Sequence, residues 1–254
     1  MTLSVVRSNS GKSTHSLRPL PIVAIDGPAG AGKSTAARML AAHLGFILID
    51  TGAIYRCLAH KAIDQNISLQ DETQLVLLCS QIQITFGRLE KNFGGGEEGL
   101  TVPTQKIYCN EIDMSELIRS PEMSLAASLV SKHPGVREAL MKMQRDFGEK
   151  GGIVMEGRDI GTVIFPDAEV KFFLTADVKS RAQRRYSELS AQGLECSLEK
   201  ILTETQQRDR QDSERETAPL KKADDATEID SSDLPLDQVV AKMSQIVRSH
   251  LKES

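Results

Sequence analysis

Tryptophan is absent from this 254-residue chain and aromatic residues make up only 4 % of it. No apolar run approaches the ~18 residues needed to cross a bilayer, so no membrane-spanning helix is expected. Cysteine is scarce and scattered. Cys57, Cys79, Cys109 and Cys196 form no CxxC pair, which points to reduced thiols and away from zinc sites or disulfides. A basic excess is missing too: the formal net charge is −4, whereas bulk nucleic-acid binding normally shows as a positive balance. Acidic residues are wanting from the first 21 positions, which carry Arg7, Lys12 and Arg18 among serines and threonines. That composition overlaps with organellar transit peptides. A plain disordered tail over residues 1–21 is the preferred reading, and the lack of an apolar h-region argues against secretion. The expectation is a cytoplasmic monomer with small-molecule partners, neither nucleic acid nor membrane among them.

What is present, twice, is Gly-Lys-Ser-Thr, in "SNSGKST" (8–14) and "GAGKST" (30–35). A phosphate-binding loop needs a glycine five residues before the Gly-Lys, where the backbone turns and then aims successive N–H groups at phosphate oxygens. The second copy has it, giving Gly27-Pro28-Ala29-Gly30-Ala31-Gly32-Lys33-Ser34-Thr35; the first has Val6 there. The second copy also follows a buried-strand pattern, "IVAID", and opens a helical one, "STAARMLAAHLG". Strand, loop and helix N-terminus together make an anion site. The first copy is a decoy. In the working loop Lys33 is expected at the β- and γ-phosphates of a nucleoside triphosphate and Ser34 on Mg²⁺.

Further strands are expected at "FILID" (Phe46–Asp50), "GIVME" (Gly152–Glu156), "VKFFLT" (Val170–Thr175) and "ATEID" (Ala226–Asp230). Helical patterns cover Ala53–Gln65, Pro121–Ser131, Val136–Phe147, Val178–Leu189, Leu198–Arg210 and Leu236–Leu251. Strands alternating with helices predict a five-stranded parallel α/β sheet. Pro121 and Pro134 suit first helical turns. From Gln81 the pattern shifts to short antiparallel strands, "IQITF", "GLTVP" and "KIYCN", broken by the glycine-rich "NFGGGEEG" (92–99), expected as a flexible hairpin tip or insertion. The domain reading is a core of 22–80 and 151–254, with an inserted subdomain over 81–150.

A phosphate loop does not name a reaction. A guanine-specific GTPase should add Asn-Lys-x-Asp, and "KKAD" (Lys221–Asp224) lacks the asparagine. A motor ATPase needs a second domain for which there is little room. The arginines say more. Arg56 in "TGAIYR" and Arg158 in "EGRDIGT" fall just past the C-terminal ends of expected parallel strands, the edge at which open α/β sheets bind ligands. Arginines there match phosphate oxygens as bidentate forks, so a second phosphorylated ligand facing the triphosphate is the economical reading.

"IDGPAGAGKST", "LIDTGAIYR", "EGRDIGTVIFPDA", "RAQRRY" and the "RD…D…R…APL" run resemble, in order and spacing, the bacterial cytidylate kinase family. The likeness runs from about Ile22 to the C-terminus, and "GRDIGTVIFPDA" is its most specific part. Three departures stand out: the extension of residues 1–21, the glycine-rich tract, and Glu156 where the family usually has Asp. The resemblance implies a P-loop kinase that moves a phosphoryl group from ATP to CMP, and to dCMP, with an arginine-rich lid at about 177–216. It implies that Arg56 and Arg158 hold the CMP phosphate. Thr51, Ser128, Arg137, Asp159 and Arg215 would surround cytosine, and Arg208 with Asp212 would address the pentose. Lys33, Arg158, Asp159 and, in the lid, Arg184 become the catalytic candidates. The chemistry agrees, since Asp159 can accept from the cytosine amino group while Arg137 donates to the other edge. The rival acceptors are UMP and AMP, although adenylate kinases usually show Asp-Gly-Phe-Pro-Arg where this chain has "EGRDIGT". A nucleotide-dependent switch without turnover is the rival of another class.

Overall fold

The computed structural model of the chain describes residues 18–90, 102–191 and 193–253. The decoy loop at 8–14 and the glycine-rich tract at 92–99 lie outside them. Five parallel strands form the main sheet in the order β2-β6-β1-β7-β8. They are β1 (Ile22–Asp26), β2 (Ile47–Asp50), β6 (Ile153–Gly157), β7 (Val170–Thr175) and β8 (Thr227–Asp230). The expected five-stranded parallel sheet is therefore present, its strand ends shifted by at most one residue.

Central β1 is buried along its whole length, as a parallel strand covered on both faces must be. Its residues alternate between two cores, following the two-residue period of a strand. Val23 and Ile25 pack with helix α1 (Lys33–Leu44) and helix α8 (Leu236–Glu253) in one cluster. Ile22 and Ala24 pack in the other with α2 (Thr51–Asp64), α3 (Glu72–Cys79), α4 (Pro121–Val130) and α5 (Pro134–Gly148). Both expected prolines stand in first helical turns, of α4 and α5.

Three corrections follow. Helix α3 was not expected; its Leu75–Cys79 run lacks clear helical spacing, yet Asp71 caps it by accepting from Gln74 N at 3.0 Å. The antiparallel sheet consists of β3 (Ile84–Glu90), β4 (Thr104–Cys109) and β5 (Ile112–Asp113). "GLTVP" is not one of its strands as far as residues 102 and 103 show, and β5 takes the third place. The β4–β5 turn has φ 49° at Asn110 and 66° at Glu111, the two positive values of a tight hairpin turn. Glutamate seldom adopts that conformation, so the turn gave little signal. The three strands make a sheet of their own, while Ile84 of β3 and Ile107 and Cys109 of β4 join the same core cluster as α2, α3, α4 and α5.

Helices α6 (Val178–Ala191) and α7 (Leu198–Glu214) pack on each other beyond β7. At the other end, Arg18 pairs with Asp167 at 2.5 Å and Glu169 at 3.0 Å, and Ile22 N donates to Glu169 at 2.8 Å. The expected tail thus meets the core from Arg18 onward.

Candidate active site

Immediately after β1, the chain turns where only glycine fits. Gly27 has φ 148°, and a Cβ there would sit 1.9 Å from the Leu174 carbonyl oxygen. The carbonyls that follow are tied outward. Pro28 O accepts from Lys33 Nζ at 2.7 Å, Ala29 O from Arg181 at 3.1 Å and Ala31 O from Ser231 Oγ at 3.1 Å. Gly32, with φ 83°, caps α1 and offers no side-chain hydrogen bond, which leaves first-turn N–H groups for an anion. Ser34 is exposed and Thr35 half-buried on that turn.

Lys33 is only 5 % exposed. Burial, then the neighbouring Arg158 cation, pushes its ammonium well below the ordinary lysine range, with Glu156 opposing. A bound triphosphate would restore the charge. Glu156, at the end of β6 in register with Asp50 of β2 and Ile25 of β1, is pushed upward by burial and by Asp50, and opposed by Lys33 and by a hydrogen bond with Ser34. Among the described residues no group of three or more His, Cys, Asp or Glu side chains could hold a metal. Ser34 and Glu156 are the hard oxygens beside the loop, and they suit a Mg²⁺ whose remaining ligands are phosphate oxygens and water.

On the other side of Lys33 lie the arginines. Asp50 caps α2 by accepting from Ala53 N at 3.0 Å and holds Arg56 at 2.9 Å. Thr51 Oγ1 donates to Glu156 O at 2.7 Å. Past β6, Arg158 Nε donates to Asp212 Oδ2 at 2.8 Å, across 54 positions of sequence. Burial alone would push the Asp212 carboxyl up; the Arg158 charge overcomes it and holds it below the usual range. Asp159 binds Arg137 of α5 at 2.5 Å, both side chains under a tenth exposed, with Arg215 NH2 3.7 Å from its other oxygen. The Arg137 guanidinium lies 5.8 Å from the Tyr55 ring centroid. Arg208 is pushed down to about 10 by burial and by the Arg158 charge.

These cations are incompletely satisfied. The Nε atoms of Arg56, Arg137 and Arg208 and the NH2 of Arg215 are buried without a hydrogen-bond partner. Buried donors are normally paired, so these four atoms retain capacity to bind an anionic or polar ligand, as do Arg38 Nε on α1 and Ser244 Oγ on α8 away from this cluster. Of the other expected residues, Ser128 is half-buried on α4, which packs against α2. Arg184 bonds Ser231, through Oγ at 3.2 Å and through the carbonyl, on the donor side of the loop.

Sequence reading missed one residue at the hinge between the two sides. Asp26 ends β1, 4 % exposed, and accepts from Ile160 N at 2.8 Å and Gly161 N at 2.7 Å. It pins the turn of Ile160–Ile164, a π-helical one, that follows Arg158 and Asp159. Burial pushes its carboxyl up to about 6, against those two hydrogen bonds. Its only signal was an acid closing an otherwise apolar strand just before the loop.

The cytidylate kinase family model matches residues 23–249. A cytidylate kinase of Syntrophotalea carbinolica is 47 % identical over 226 residues, covering 89 % of this chain and 91 % of that protein. One of Bacillus cereus is 45 % identical over 225 residues, covering 89 % and 95 %. Among solved structures, a shikimate kinase of Acinetobacter baumannii covers 92 % of this chain and 96 % of that one at 15 % identity, with a TM-score of 0.42, a likeness too slight to carry an argument.

Proposed function

The chain belongs to the cytidylate kinase family, and from that premise we propose that it transfers the γ-phosphoryl group of ATP to CMP, and to dCMP, in pyrimidine nucleotide metabolism. The observation that carries this reading is the set of buried arginines, Arg56, Arg137, Arg208 and Arg215, that each keep a donor without a hydrogen-bond partner beside Asp50, Asp159 and Asp212.

ATP binds with its phosphates against the N–H groups of Gly27–Thr35 and Lys33. Arg56 and Arg158 take the CMP phosphate by exchanging Asp50 and Asp212 for it. Arg208 and Asp212 address the pentose. Thr51, Ser128, Arg137, Asp159 and Arg215 enclose cytosine, with Asp159 accepting from its amino group. The acceptor is a phosphate oxygen largely ionised at pH 7, its second pKa being about 6, so no general base is required. Rate acceleration comes from alignment and from neutralising charge on the transferring group, by Lys33, Arg158 and Arg184. Ser34, supported by Glu156, would hold Mg²⁺, which when bound would supply positive charge against the ATP phosphates. Residues 81–150 supply much of the CMP side, and 177–216 close over ATP and exclude water. The enzyme works as a cytoplasmic monomer.

Coupled ADP-release assays with CMP, dCMP, UMP and AMP test the reading. CMP should be the best acceptor. Preference for UMP or AMP would reassign the acceptor, and nucleotide binding without ADP release would make the chain a switch.

A further inference from the structure

Arg181 belongs by sequence to the lid's arginine cluster, yet it is not free to meet a nucleotide. Its residue is 5 % exposed, and its donors are engaged by the protein itself. Nε donates to Ala176 O at 2.8 Å, at the end of β7. NH1 donates to Ala29 O at 3.1 Å and to Asp209 Oδ1 at 2.8 Å, and NH2 to Asp209 Oδ2 at 2.6 Å. One planar fork thus ties the phosphate loop, the main sheet and α7 together. The loop sits hard against it: a Cβ on Gly30 would lie 3.2 Å from the Arg181 Cβ.

Two consequences follow from this placement. In a planar trans peptide the carbonyl and the next N–H point in opposite directions, so fixing Ala29 O also fixes where the Gly30 N–H points. Asp209 meanwhile sits on α7 beside Arg208, whose buried Nε lacks a partner, and one turn before Asp212, which holds Arg158. A single helix therefore reaches the acceptor side through Arg208 and Asp212 and, through Asp209 and the Arg181 it holds, the donor loop.

We infer that Arg181 and Asp209 are positioning residues that couple the two substrates: CMP, by reseating Arg208 and Asp212, shifts α7, and the Asp209–Arg181–Ala29 connection passes that shift to the phosphate loop. The inference rests on CMP being the acceptor. It assigns these two side chains no contact with either nucleotide.

The test is calorimetric titration of the full chain with a non-hydrolysable ATP analogue, with and without saturating CMP. In the wild type CMP should tighten the analogue at least about fivefold, within the usual span of coupling between sites. Asp209→Asn removes the charge, and Arg181→Lys replaces the fork with a point donor. Each should bring the ratio below about twofold, while affinity for CMP alone stays near wild type. A merely structural pair would lower the melting temperature, or weaken both ligands, and leave the ratio intact. An unchanged ratio in folded variants therefore overturns the inference. Hydrogen exchange on the wild type gives a second arm that needs no variant. CMP alone should slow exchange of the amides of Gly27–Ser34, and no slowing counts against the coupling. If CMP does not bind at all, the functional reading fails first; CMP binding with an unaltered ratio removes this inference alone.

Discussion

The donor and acceptor sides of the site are built in opposite ways. The donor side is nine consecutive residues, three of whose carbonyls, those of Pro28, Ala29 and Ala31, are already held by Lys33, Arg181 and Ser231, so its shape exists before ATP arrives. The acceptor side is drawn from α2, α5, α7, the turn after β6 and Arg215 just past α7, and it holds buried donors with nothing to bind. A site of the first kind is preorganised by backbone geometry, and its ligand finds N–H groups in place. A site of the second kind keeps its charges in internal pairs, Arg56–Asp50, Arg158–Asp212 and Arg137–Asp159, that the ligand must compete for. The donor side should therefore fail as a whole when its one mobile charge is lost, whereas the acceptor side should fail by degrees and by substrate.

The largest effect follows from Lys33. Lys33→Ala should reduce ADP release by about 10³-fold or more, because it deletes the charge aimed at the β/γ-phosphates. Residual activity above about a tenth of wild type would show that the arginines alone suffice.

Asp159→Ala and Arg158→Ala sharpen the acceptor side. A buried polar edge rejects the wrong base because mismatch leaves groups unpaired. Asp159→Ala should cost CMP about 2–4 kcal/mol in kcat/KM and UMP much less, so the preference between them collapses. Arg158→Ala should harm both alike, through the phosphate they share. The Asp159 variant also leaves Arg137 buried without its 2.5 Å partner, a change that destabilises by about 3–5 kcal/mol in comparable cases. Rates must be normalised to folded protein. Equal losses for CMP and UMP would mean that Asp159 steadies the arginines and does not read the base.

The same contrast explains what could be read in advance. The donor loop is local, so glycine spacing and flanking patterns exposed it. The five strands of the main sheet were legible from apolar runs and every helix but α3 from spacing, but α2 begins at Thr51 because the Asp50 side chain caps it, a cue that spacing alone does not carry. On the acceptor side, Arg137 and Asp159 are 22 positions apart and Arg158 and Asp212 are 54 apart. No local pattern announces such pairs; the family likeness pointed to the four residues as ligand contacts, and their pairing with one another comes from the structure. Asp26 escaped both routes, because in sequence it reads as the end of a strand.

Asp26 provides a smaller effect that probes the join. Its folded pKa of about 6 lies above its ordinary 3.8, so the folded state favours the protonated form. Its contribution to stability is fully present below 3.8 and is lost as pH rises to about 6. Two units correspond to about 3 kcal/mol. Denaturant unfolding of wild type and Asp26→Asn should therefore show a difference that changes by up to that amount between pH 3.5 and 7, wild type losing relative ground as pH rises. A difference independent of pH would mean that Asp26 ionises normally and that its two backbone hydrogen bonds outweigh burial.

The smallest effect concerns the first Gly-Lys-Ser-Thr, residues 11–14, and asks whether a loop sequence without its leading glycine does anything. Lys12 has Val6 where the working loop has its first glycine, so it lacks the turn that aims N–H groups at a phosphate. Lys12→Ala, or removal of residues 1–17, should leave ADP release within about twofold of wild type, because the sequence there lacks the full phosphate-loop pattern. Arg18 marks where that indifference should end. Its guanidinium bonds Asp167 and Glu169 and lies 5.8 Å from the Phe165 ring centroid, at the foot of β7. With one partner half-exposed, Arg18→Ala should cost about 1 kcal/mol of stability after solvent screening, and kcat should stay unchanged. A tail deletion that lowers kcat in a stably folded protein would show that the first copy takes part in the reaction after all, and that a phosphate loop can act here without its leading glycine.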